Sequence, residues 1–74
     1  MRGYAATRYL LYEGPTNRGD EWKVTVTLED PNSHLNVRSG AGTNYDIIGS
    51  LPNGRVVTEY LDRSLPSGWS SISF

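Results

Sequence analysis

Glycine and proline interrupt this chain so often that no long helix has room to form. Eight glycines and four prolines are spread along it, and residues 20–30 and 55–65 are the longest stretches free of both. The runs between them are rich in β-formers and alternate in polarity, the pattern of short strands in an all-β domain. The clearest is WKVTVTLE, in which Trp22, Val24, Val26 and Leu28 point one way and Lys23, Thr25, Thr27 and Glu29 the other. That period belongs to a strand with one buried face. HLNVRS repeats it, with Leu35 and Val37 inward and Asn36 and Arg38 outward. DIIGSL, RVVTEYL and GWSSISF supply further strands, the last with Ile72 and Phe74 inward and Trp69 on the opposite face. EDPNS and LPNGR read as turns, SGAGTNYD as an irregular loop and DRSLPSG as a longer connector. Glu59 shares a face with Val57 and Leu61, so it marks either the rim of a core or a shift of register.

Seventy-four residues make a single domain, because a chain of this size buries only about 60% of the surface it exposes when unfolded and cannot supply two cores. Without cysteine it has neither a disulfide framework nor a thiolate metal site. Seven basic residues against eight acidic ones leave it close to neutral. The basic residues are scattered singly, so the footprint of a nucleic-acid binder is missing. No charged-then-apolar leader and no long apolar run is legible, which points to neither a signal peptide nor a membrane span.

Enzymatic chemistry finds little to stand on. His34 is the lone histidine, beside a turn, and makes no metal site by itself. Asp30, Asp46 and Asp62 lie in or next to expected turns, where Asp bonds to its own backbone, and no nucleophile is paired with them. No phosphate-cradling glycine motif is present, and no cofactor is implied. Arg18-Gly19-Asp20 spells an adhesion tripeptide, a match short enough for loop composition alone to produce it.

From Leu35 onward, LNVRSGAGTNYDIIGSLPNGRVVTEY is followed by Gly68-Trp69 and a short strand. This pattern resembles the bacterial SH3 (SH3b) family, with Leu35, Asn36, Val37, Arg38, Gly40, Thr43, Ile48, Gly49, Leu51 and Gly54 at the family's spacing. Ala41 stands where the family usually has proline, and Glu59 where it usually has an apolar residue. The resemblance implies a small SH3-like barrel of five to six short antiparallel strands. The family's closing strand, expected after the Gly-Trp pair, is instead similar to GYAATRYL near the N-terminus. The chain therefore reads as one circularly permuted module: closing strand 1–10, linker 11–21, barrel body 22–74. A linker of that length spans at most roughly 36 Å. It leaves three arrangements open: a strand that closes its own barrel, a strand exchanged into a homo-oligomer, or a piece of a tandem array.

The resemblance also implies a non-catalytic binding module of the cell envelope, outside the cytoplasm, whose partner is peptidoglycan or a cell-wall peptide. The alternative is a structural or assembly protein, natural or engineered, built by exchange of the N-terminal strand. Aromatic side chains kept partly in solvent suit a peptide groove, since they give rigid contact area at little entropic cost. Tyr45 and Trp69, with Tyr4 and Asn44 beside them, are the candidate groove residues, while Trp22, Tyr9 and Tyr60 are expected to pack structurally. Asn36 and Arg38 are expected to hold the SGAGTN loop in shape, and Gly40, Gly49 and Gly54 complete the structural motif.

Overall fold

In a computed structural model of the chain, residues 1–16 and 19–74 are described. The elements in order are β1 (Arg2–Ala6), a 3-10 turn (Thr7–Tyr9), β2 (Leu10–Pro15), β3 (Glu21–Val26), β4 (His34–Arg38), β5 (Ile47–Pro52), β6 (Val56–Tyr60) and β7 (Trp69–Ser73). All ladders are antiparallel and join into one sheet in the order β2-β3-β6-β7-β1-β4-β5. The chain is all-β as its residues indicate, with seven strands where five to six were expected. Edges β2 and β5 share no ladder among the described residues, so the sheet curls around its core without closing into a barrel.

The extra strand comes from the segment read as a linker. Leu10–Pro15 pairs along β3, from Leu10 opposite Val26 to Pro15 opposite Trp22, with a register shift between Tyr12 and Gly14. An edge strand pairs on one side only, so it tolerates both the bulge and a terminal proline. Gly14-Pro15 therefore ends a strand here instead of marking a loop. Glu13 Oε2 accepts the Thr25 hydroxyl at 2.7 Å, fastening this edge. The tripeptide beginning at Arg18 lies partly outside the described residues.

β1 occupies the middle of the sheet. It pairs with β7 along its length, from Arg2 opposite Ser73 to Ala6 opposite Trp69, and with β4 at Tyr4 opposite Arg38. Beneath it, Ala5, Val24, Val26, Leu35, Val37, Leu51, Val57 and Ile72 form the buried core, ringed by Tyr9, Leu10, Trp22, Leu28 and Phe74. Full burial of one such aliphatic side chain contributes about 1.5–3 kcal/mol. The alternating residues of β3, β4 and β7 thus face inward as their periodicity indicates, whereas Leu61 lies past the end of β6 and is exposed.

Glu59 stands opposite Trp22 in the β3–β6 ladder, and its Oε1 accepts the indole N–H at 3.0 Å. Both side chains are half-buried, and each supplies the polar partner that the other needs at the rim of the core. No register error is involved. A carboxylate stands in the place of an apolar residue because a tryptophan faces it across the ladder.

Gly3 and Gly49 let Phe74 settle onto the sheet. A Cβ on Gly49 would come within 2.5 Å of Phe74 Cε2, and one on Gly3 would collide with Val37 Cγ1 and approach Phe74 Cε1 to 3.1 Å. Replacing Gly3 by Ala should cost about 1–3 kcal/mol through overpacking. Urea denaturation should show this as a lower midpoint at unchanged slope; an unchanged midpoint would mean that β1 is not tightly seated.

In the β6–β7 connection, the Ser64 hydroxyl at 2.5 Å and the Ser64 amide at 3.0 Å both donate to Asp62 Oδ1. Their donation, the side chain first, holds the Asp62 carboxyl below the ordinary carboxylate value. A depressed value in the folded state means that the stabilisation is present above the ordinary carboxylate value and lost as pH falls through the lower folded one. In an NMR titration, Ser64→Ala should move the Asp62 midpoint upward, and a midpoint that stays in place would remove the hydroxyl as the cause.

Candidate functional site

The outward positions of β4 are His34, Asn36 and Arg38. The ladders bring Ala6 of β1 and Trp69 of β7 onto the same side of the sheet, since Ala6 faces Trp69 and Tyr4 faces Arg38. At the end of β1 the chain bends into the 3-10 turn. Thr7 N–H donates to Gly68 O at 2.8 Å, and the Thr7 and Ser70 hydroxyls share a hydrogen bond of 2.6 Å. Gly68, at φ 91°, takes a left-handed conformation that its missing side chain permits. Trp69 is thereby fixed at the start of β7, beside the turn.

Between this turn, the β3–β4 turn and the outward face of β4 lies an open groove of about 890 Å³. Arg8 and Tyr9 come from the 3-10 turn, Glu29 and Asp30 from the β3–β4 turn, Asn36 and Arg38 from β4, Thr43 from the following loop and Trp69 from β7. Tyr9 O accepts Thr27 N–H at 2.8 Å, tying two of the walls together, and the Arg8 guanidinium lies over the Tyr9 ring and donates to its hydroxyl at 3.0 Å. Asp30 Oδ1 accepts Asn32 N–H at 2.9 Å, the local Asp-turn bond that its position suggests.

Arg38 forms the far end of the groove. Its Nη1 donates to Thr43 O at 3.1 Å and to Tyr45 O at 2.9 Å, bridging the loop that the β4–β5 hairpin leaves open. Asn36 is exposed and makes no such bridge; it belongs to the groove surface. Gly54, at φ 87°, donates its N–H to Val26 O at 2.8 Å, and Asn53 Oδ1 accepts Leu28 N–H at 2.8 Å, so the LPNGR turn is pinned to the end of β3.

Of the four expected groove residues, only Trp69 lines the groove. Tyr45 lies over the glycines of its own loop, where a Cβ on Gly40 would fall among its ring atoms. Asn44 sits on the exposed tip of that loop. Tyr4 stands in a cross-strand row with Tyr60, Ser71 and Arg38, half-buried on the outer face and outside the groove. Arg2 lies 3.8 Å over the Tyr60 ring in the same region, so this row is occupied by its own packing. Sequence reasoning missed Arg8, Tyr9 and Glu29 as neighbours of Trp69. The 3-10 turn that brings the first two there carries no periodic signal.

Among the described residues no group of three or more His, Asp or Glu side chains could hold a metal ion, and no helix is long and apolar enough to cross a membrane. Arg38→Met should free the loop at a cost of about 1.5–3 kcal/mol, the scale for lost hydrogen bonds from a charged donor. Amide exchange at Ser39, Gly42 and Tyr45 should then quicken at least about tenfold, one decade per 1.4 kcal/mol. Unchanged exchange would show that the loop holds its shape without Arg38.

The profile of the bacterial SH3 domain matches residues 33–74. A segment of 50 residues, 68% of this chain, is 44% identical to a Bacillus subtilis (strain 168) protein named "Putative N-acetylmuramoyl-L-alanine amidase YrvJ". The match spans only 9% of that relative's length. No solved structure matches. The profile covers most of the sheet, including β4, its loop, the Gly49 and Gly54 hairpin and the Gly68-Trp69 pair, and the chain therefore belongs to the bacterial SH3 domain family.

Proposed function

We propose that this chain is a non-catalytic binding module of the bacterial cell envelope that recognises the peptide part of peptidoglycan. The observation that carries the reading is the groove, in which one half-buried tryptophan lies beside the outward polar residues of a strand and an aromatic turn. A large aromatic with a polar surround is the usual anchor for an extended peptide, since it gives contact area while the neighbouring polar groups fix direction. The family and the amidase name of the relative agree with a wall ligand. The matched segment is a small part of that relative, so its amidase activity is not carried over. Peptidoglycan as partner places the domain outside the cytoplasm.

The strand order bears on how the module is completed. β1 reaches its place between β7 and β4 of its own chain, and the segment after it is taken up in β2. This supports reading Arg2–Ala6, within residues 1–10, as the closing strand of the sheet, a place that the chain's own strand or a neighbour's would fill alike.

Purified chain should sediment with peptidoglycan sacculi saturably. Trp69→Ala should weaken that binding at least about fivefold, the cost of truncating one central aromatic being 1 kcal/mol or more. Tyr45→Ala, outside the groove, should leave it within twofold. Circular dichroism checks the fold of both, and Asn36→Ala serves as a second groove variant should Trp69→Ala unfold. Loss of binding in Tyr45→Ala with retention in Trp69→Ala and Asn36→Ala would move the site elsewhere.

A further inference from the structure

The groove has an electrical direction. Glu29 and Asp30 lie in the turn that leads into β4, beside His34 at the strand's first residue, and Arg38 is its last residue. Four steps along a strand cover about 13 Å, at roughly 3.3 Å per residue. One end of the groove is thus acidic and the other basic, with Trp69, Ala6 and Asn36 between them. Arg8 stands on the wall, its guanidinium already engaged with Tyr9.

The charged groups at the two ends are open to a ligand. Glu29 is exposed, and no ion pair joins the acidic turn to Arg38 among the described residues. Asp30 spends Oδ1 on Asn32 N–H, which leaves Oδ2. The bonds of Arg38 to its loop both use Nη1, which orients the guanidinium and leaves Nε and Nη2 as donors. A guanidinium held in this way offers a carboxylate two parallel hydrogen bonds at reduced entropic cost.

We infer that the groove takes an extended peptide segment of about four residues carrying a free ammonium at one end and a free carboxylate at the other, with the ammonium at Glu29 and Asp30 and the carboxylate at Arg38. This rests on the peptide-binding reading above and adds to it the ligand's charge and direction. Opposite charges at the two ends favour one orientation of the peptide and penalise the reversed one, where like charges meet. The central tryptophan contributes contact area that does not depend on direction.

The test uses sacculi in three forms: untreated, with their amines acetylated, and with their carboxyls amidated. Either treatment should weaken sedimentation of the parent chain about three- to tenfold, the range for a charged contact in a partly open site. The double variant Glu29→Gln, Asp30→Asn should bind untreated sacculi more weakly and become indifferent to acetylation while still sensing amidation. Arg38→Gln should show the converse, and Arg38→Lys, which keeps the charge, should still sense amidation. Equal binding of the parent chain to all three forms overturns the charge assignment and leaves the peptidoglycan reading intact. Variants as sensitive to both treatments as the parent overturn it too, since that pattern is a general charge effect of the wall. Absence of binding to untreated sacculi removes both readings.

Discussion

The sheet depends on β1. In the order β2-β3-β6-β7-β1-β4-β5, it is the one strand that touches both halves, and without it the sheet separates into a four-stranded piece and the β4–β5 hairpin. An isolated two-stranded hairpin is at best marginally stable in water, so β4 and β5 need β1 to exist as a sheet edge at all. The short, small-residue sequence of β1 fits that position. Gly3 and Ala5 face the core, where Val37, Phe74 and Ile72 fill the space that larger side chains would have taken.

The groove depends on the same strand. Trp69 belongs to β7 and Arg38 to β4, and these two strands are neighbours only through β1. The ladder positions Ala6–Trp69 and Tyr4–Arg38 fix how far along each strand the tryptophan and the arginine sit. A shift of β1 by one residue would turn Ala5 outward, remove a buried contact from the core and separate the walls of the groove. Folding and site geometry are therefore set by a single register.

Much of this was legible in the residues, for reasons that differ by element. β3 and β4 alternate, and β7 sets Ile72 and Phe74 on the face opposite Trp69, so their inward faces follow from period two, and the motif glycines lie where side chains or turns need the room. β2 was not legible because its bulge and its Gly14-Pro15 end erase the alternation, and only pairing with β3 makes it a strand. Glu59 looked misplaced because its partner, Trp22, is remote in sequence. Tyr45 and Trp69 were alike as exposed aromatics near a loop or strand end. What separates them is tertiary: Gly40 gives the Tyr45 ring a seat in its own loop, while Trp69 meets a turn from the other end of the chain.

Because the groove spans β7, β1 and β4, its occupancy and the seating of β1 are linked. A ligand that touches Trp69 and Arg38 together binds only the assembled sheet, and it stabilises that sheet by RT ln(1 + [L]/Kd), about 2.7 kcal/mol at a hundredfold excess over Kd. For a domain this small, that is a large fraction of a typical total stability of roughly 0.05–0.15 kcal/mol per residue. A ligand seated as proposed would thus act twice through the same contacts: the groove would hold the ligand, and the ligand would hold β1 between the halves that it joins.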